Sequence, residues 1–262
     1  MNIIDCHQHL FSEGVDTLLH QMDSLGIERV WLSPDFTDET WGDTGNDMVE
    51  RAFRSHPDRI LGMAFIRLGD ASPSKVREYK EKGFFGLKAI HPLLPYDHPS
   101  NDPIYEEAER LRMPILFHTS ESVYVSPKLT PWGKDLLPRR MLPIYLDRIA
   151  IYFPDLILVA AHMGNTYIQQ ACALAASRPN VYLDISGAGD LKRMPRSFFE
   201  HIIYWGRASH KLLYGSDGSY SAMPRVLEEA RAFLEKVGMS EELKERTFRR
   251  NAEEIMGRCG WS

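Results

Sequence analysis

Short apolar runs recur along the whole chain, and between them lie stretches whose apolar positions fall three and four residues apart. The first pattern predicts buried β-strands and the second amphipathic helices. The strand candidates are "NIIDCH", "RVWLS", "ILGMAFI", "FGLKAI", "PILFHT", "LILVAAH", "VYLDIS" and "KLLYGSD". Between and after them stand "DTLLHQMDSLG", "NDMVERAFRSH", "SKVREYKEKG", "DPIYEEAERLR", "LPIYLDRIAIYF", "TYIQQACALAAS", "PRSFFEHIIYWG" and "MPRVLEEARAFLEKVG". Several of these helices stop at Gly or shortly before Pro, as helix ends do. The strands are apolar on both faces, as strands buried between a barrel interior and a helix ring must be. Strict alternation of this kind predicts an α/β fold, a (β/α)8 TIM barrel. "SEELKERTFRRNAEEIMG" then closes the chain as extra C-terminal helix.

No linker, low-complexity segment or charge block divides the sequence, so residues 1–262 read as one barrel domain. A doubly wound open sheet is the alternative. It usually carries a Gly-rich turn after the first strand, where this chain has "HQHLFSEG". The largest break in spacing follows the fifth strand, where "SESVYVSPKLTPWGKDLLPRR" shows no periodicity. On a barrel that loop leaves the C-terminal face, where active sites lie.

Composition narrows the class. The 262 residues are 44% hydrophobic and 26% charged, with a net charge of -5, which suits a globular protein with a full core. No basic footprint points to nucleic acid or to an anionic membrane. No apolar run approaches the roughly 20 residues of a membrane helix, and the N-terminus enters a strand at once, without a leader pattern. Cys6, Cys172 and Cys259 are too few and too scattered for a disulfide framework or a metal knuckle. The expectation is a cytoplasmic protein acting on a small molecule.

The chemistry lies at the ends of the strands. His7 and His9 end the first, His118 the fifth, His162 the sixth and Asp217 the eighth. In a barrel those ends surround one mouth. Residues two apart on a strand point the same way, so His7 and His9 share a face, with Asp5 one step below. Singly, each histidine reads as an ordinary hydrogen-bonded polar residue. Together, three or four imidazoles and a carboxylate suit a divalent ion such as Zn2+. Such a site activates a water and polarises a carbonyl, with Asp217 as a ligand and proton acceptor. His20, His56, His98, His201 and His210 read as surface or packing residues, while His91 lies close enough to the mouth to face it.

"DCHQH", "FHTS", "AHMGN", "YLDISG", "LLYGSD" and the late "NAEEIMG" together resemble the amidohydrolase superfamily, within it the branch of aminocarboxymuconate-semialdehyde decarboxylase, resorcylate-type decarboxylases and small lactone hydrolases. The resemblance spans nearly the whole chain. It implies metal ligands at His7, His9, His118 and Asp217. It also implies that His162 lies beside the metal, as a catalytic residue in one-metal members or a second-metal ligand in two-metal ones. Lys88 stands where some relatives carry a metal-bridging Glu or a carboxylated lysine. Three readings stay open for it: a carbamate bridging two metals, an inward cation for a substrate carboxylate, or a structural lysine paired with an acid.

Arg67, Trp41 and Tyr124 are the further substrate-binding candidates. Arg67 follows the third strand, and an ion pair with Asp70 is its structural alternative. Phe36, Trp132, Arg139, Arg140, Ser186 and Tyr220 rank behind them. Aromatics over a metal suit a small cyclic substrate, and they suit a homodimer interface equally. The leading functional reading is a metal-dependent hydrolase of a small carboxylated lactone or amide, acting through metal-activated water, with Asp217 or His162 moving the proton. A metal-dependent non-oxidative decarboxylase of an aromatic or unsaturated acid stands second, with the shorter chain here favouring hydrolysis. A catalytically silent metal-binding barrel stands third.

Overall fold

A computed structural model describes residues 2–35, 42–120, 137–187, 191, 193–203 and 205–261. Eight strands run in the order of the chain: β1 (Ile3–Leu10), β2 (Ile27–Pro34), β3 (Ile60–Ile66), β4 (Gly86–Ala89), β5 (Ile115–Phe117), β6 (Leu158–Ala160), β7 (Val181–Asp184) and β8 (Leu212–Leu213). Every pairing from β1–β2 to β7–β8 is parallel. Backbone bonds draw the last strand's continuation against the first. Cys6 N–H donates to Tyr214 C=O, and Asp217 N–H donates to His7 C=O, both at 2.8 Å. The expected (β/α)8 barrel is therefore present.

Helices α1 (Gly14–Leu25), α2 (Asp43–Ser55), α3 (Pro73–Lys82), α4 (Asp102–Arg110), α5 (Leu146–Tyr152), α6 (Ile168–Ser177), α7 (Arg196–Ile202) and α8 (Met223–Lys236) follow the strands in turn. Their apolar faces, with Leu18, Met22, Val49, Val76, Ile104 and Phe233, pack on the outward residues of the strands in one continuous cluster. Gly26 ends α1 at φ 69°, a left-handed turn that suits glycine.

The barrel interior forms a second cluster, including Ile4, Cys6, Trp31, Met63, Leu116, Val159 and Leu213. The chain's last segment, α9 (Glu241–Glu245) and α10 (Asn251–Arg258), joins that cluster through Ala252, Ile255 and Met256. Trp261 meets the Phe85 ring edge-on, with centroids 5.7 Å apart. The extra C-terminal helix thus packs where the strands begin, away from the histidines. No helix among the described residues is long and apolar enough to cross a membrane.

One irregularity decides where the first histidines point. On β1, Asp5 pairs with Val30 and Gln8 with Leu32, so Cys6 and His7 together stand opposite the single Trp31. That is a β-bulge, the device that re-aims side chains near active sites. Before it, Ile4 and Cys6 face inward. After it, the phase has moved by one, and His7 and His9 face inward. Asp5, paired with Val30 of the outer cluster, is on the other face of the strand. The expectation that it shares the histidines' face fails because simple alternation does not cross a bulge.

Candidate active site

The two β1 histidines are held from behind. His7 Nδ1 donates to Asp184 Oδ2 at 3.0 Å, and His9 Nδ1 donates to the Pro34 carbonyl at 2.7 Å. A neutral imidazole that donates from Nδ1 keeps its lone pair on Nε2. Both Nε2 atoms approach Asp217 Oδ1, at 3.4 Å from His7 and 3.1 Å from His9. Asp217 follows β8 in a left-handed conformation, φ 39°. Its Oδ2 lies 3.5 Å from His162 Nδ1. Gly215, two residues earlier, leaves room for the His7 side chain.

Three electron-rich atoms therefore converge: His7 Nε2, His9 Nε2 and Asp217 Oδ1. Each histidine is oriented by an acceptor on its far nitrogen, as metal-ligating histidines are. This donor set fits a divalent cation of nitrogen and oxygen preference. The nearest cationic group is Lys88, almost fully buried, whose Nζ lies 2.5 Å from His7 Nε2. Burial lowers the Lys88 amine to about 8, although Asp217 and Asp184 pull the other way. Burial likewise pushes His7 down to about 4. Burial works to raise the Asp217 carboxyl, yet His7, His9 and His162 hold it well below the usual range.

His162 occupies a strained turn after β6. It and Met163 adopt left-handed angles, φ 58° and 49°, before Gly164 at 69°, a conformation costing side-chain-bearing residues about 1–2 kcal/mol each. The strain is compensated where His162 N–H donates to Asp184 Oδ1 at 3.2 Å. His118, directly after β5, meets His162 through its Nδ1, 3.2 Å from His162 Nε2. Its own backbone carbonyl accepts from the Tyr96 hydroxyl at 2.9 Å. Burial, then His162 and Lys88, keep the His118 imidazole well below its ordinary value. His118 is thus one ring removed from the converging trio, against His162 rather than among the three atoms.

Arg67 is buried at the end of β3, and its Nε donates to the His91 carbonyl at 3.1 Å. His91 is buried as well, at φ 53°, with its imidazole pushed down to about 4 by burial, Arg67 and Lys88. Arg140 donates to the Pro92 carbonyl, and Arg139 is exposed. Tyr220 serves the backbone: its hydroxyl accepts from Phe11 N–H and donates to the His9 carbonyl. Trp41, Tyr124, Phe36 and Trp132 lie outside the described residues.

Sequence reasoning passed over Asp184. It is fully buried, yet it accepts from His7 Nδ1, His162 N–H, Ser186 N–H and the Ser186 hydroxyl. Burial opposes its ionisation, but His7 and the donors around it hold the carboxyl down at about 2. The available signal was the one that singled out Asp217: a carboxylate at the C-terminal end of an apolar run.

The amidohydrolase family model matches residues 4–258. The chain belongs to the amidohydrolase family. Solved structures of similar fold include a 2,6-dihydroxybenzoate decarboxylase complexed with 2,6-dihydroxybenzoate (TM-score 0.71, 17% identity, 98% of this chain and 99% of that one). A probable 2-pyrone-4,6-dicarboxylic acid hydrolase from Acinetobacter baumannii, with citric acid bound, is alike to the same degree (TM-score 0.70, 16%, 98% and 100%). So is a 5-carboxyvanillate decarboxylase from Novosphingobium aromaticivorans with bound manganese (0.68, 17%, 98% and 97%). No curated protein matches the chain. The amidohydrolase barrel thus accounts for the placement of the histidines and Asp217 at one mouth, and the named neighbours are enzymes of two reaction types.

Proposed function

We propose that this amidohydrolase is a metal-dependent hydrolase of a small carboxylated lactone or amide. The observation that carries the reading is the convergence of His7 Nε2, His9 Nε2 and Asp217 Oδ1 with both Nδ1 atoms already committed. A divalent ion held by these groups, with His118 and His162 beside it, would make a water more acidic and polarise a substrate carbonyl. Zn2+ is the proposed ion, because the set is rich in imidazole nitrogen.

The chain's own groups supply the remaining steps. Asp217, ionised and the most open member of the cluster at 25% exposure, accepts the proton of the attacking water. It returns that proton to the leaving alkoxide or amine, so the ring or amide bond breaks as the new carbon–oxygen bond forms. Lys88 places positive charge beside the oxygen that becomes negative. Arg67, buried at the end of β3, holds the substrate carboxylate. The likeness to the pyrone dicarboxylic acid hydrolase supports a cyclic, carboxylated ester as the substrate class.

Decarboxylation is the second reading, favoured by the likeness to two decarboxylases, one of them carrying manganese. The match runs over 97–99% of those chains, so an additional domain does not set them apart. A screen of Zn2+- and Mn2+-loaded protein against carboxylated lactones and hydroxybenzoic acids separates the two. Acid release without CO2 is expected; CO2 release from the aromatic acids overturns the hydrolase reading.

A further inference from the structure

The hydrogen bonds around Asp184 run in one direction. Asp184 Oδ1 faces donors only: Ser186 N–H at 2.7 Å, His162 N–H at 3.2 Å and the Ser186 hydroxyl. A carboxylate oxygen in that position accepts and has nothing to give. The single proton of the Ser186 hydroxyl is therefore spent on Asp184. Its oxygen, 2.8 Å from His162 Nδ1, is left to accept, so His162 carries its proton on Nδ1. A neutral His162 then has its lone pair on Nε2, 3.2 Å from His118 Nδ1, and His118 must be the donor across that contact.

We infer that Ser186 is a positioning residue that fixes the protons of the His118–His162 pair, through a one-way chain from His118 Nδ1–H to His162, from His162 Nδ1–H to Ser186, and from Ser186 to Asp184. The hydroxyl acts on both rings while touching only one. The chain assigns His118 the tautomer with its lone pair on Nε2, the form a metal-ligating or proton-accepting imidazole needs. It also explains the second grouping of His7, His162 and Asp184. Both Nδ1 atoms there carry protons directed at Ser186 and Asp184, so that grouping is a hydrogen-bond hub and not a second cation site. The chain stands on hydrogen bonds alone; only its consequence for a metal rests on the proposed function.

The test is nitrogen-15 NMR of histidine-labelled, metal-free protein, with His162→Gln and His118→Gln used to assign the rings. The protonated-Nδ1 pattern is expected for both His162 and His118 in the wild type, and Ser186→Ala is expected to move His162 toward the Nε2-protonated form. A wild-type His162 protonated at Nε2 overturns the inference, as does a Ser186→Ala protein with His162 unchanged. The wild-type measurement decides even if the variant folds poorly. Zn2+ added to the same wild-type sample reports the metal reading separately, through perturbation of His7 and His9.

Discussion

Gly215 lies directly against His7: a Cβ added at Gly215 would stand 2.7 Å from the His7 Cβ, 3.4 Å from the Ser186 Cβ and 3.5 Å from Asp184 Oδ1. The absent side chain is what lets the first histidine of "DCHQH" reach the mouth. Gly215→Ala is therefore expected to cost about 1–3 kcal/mol of stability through overpacking, and to displace His7 from Asp184. Thermal unfolding and metal content measured together check this. A variant with wild-type melting and full metal loading would show that the neighbourhood yields without consequence.

Asp184→Asn keeps the shape of the hub but replaces an acceptor-only group with one that also donates. His7 loses its charged anchor, so divalent-metal affinity is expected to fall 10–100-fold, the usual effect of changing a group that orients a ligand. Competition against a chromophoric chelator reads it.

Lys88 and a metal contend for the same lone pair on His7 Nε2. Removing the amine with Lys88→Met should tighten metal binding, by roughly tenfold to a hundredfold if the charged hydrogen bond is worth about 1.5–3 kcal/mol. One metal per chain is expected in both proteins. Weaker binding in the variant, with wild-type stoichiometry of two, would instead assign Lys88 the bridging-carbamate role.

Acid should unfold the metal-free protein early. His7 and His91 are pushed from 6.5 to about 4 by burial, and His118 is held well below its ordinary value by burial and by His162 and Lys88. The unfolded chain thus takes up protons that the folded one refuses, and stability is lost as pH falls through the window from 6.5 to about 4. For His7 alone the full effect is roughly 3 kcal/mol. Asp5 works in the opposite sense: burial raises its carboxyl to about 7, so the folded state gains a proton first. Three histidines against one carboxyl leave a net loss. Urea unfolding across that window checks it; flat stability would refute the assigned burial of neutral imidazoles.

The far end of the barrel offers a control. Ile255 is fully buried among Ile4, Trp31 and Phe85, and Ile255→Ala is expected to cost about 2–5 kcal/mol. Metal stoichiometry should not change, because the plug and the histidines meet opposite ends of the strands. A loss of metal alongside the loss of stability would show that the two ends are coupled.

The alternation of elements was legible because each strand is apolar on both faces and each helix on one. The candidate trio was partly legible too, since His7, His9 and Asp217 end three apolar runs. Strand ends were less so. β5 and β6 stop at Phe117 and Ala160; His118 keeps one backbone bond to β4, its N–H donating to Ala89 C=O at 2.9 Å, while His162 lies where a left-handed angle and a bond to Asp184 replace the ladder. Asp184 escaped notice because a lone carboxylate after "VYL" reads as the end of a strand, and nothing local says that two histidines converge on it. The bulge left no mark at all. Neither Gly nor Pro stands at Cys6–His7, and the extra residue is visible only against its partner strand.

That extra residue gives the site an arithmetic. Straighten the bulge with every residue kept, and the His7 and His9 side chains still exist, in the same order and spacing, but simple alternation from the inward Ile4 and Cys6 turns both rings to the outer face of the strand, toward the helix ring. The motif is therefore not portable by its letters. Anyone grafting "DCHQH" onto another barrel must carry the miscount with it, and a search for such sites by spelling alone will return barrels that have the letters and lack the slip, with their histidines turned to the helices.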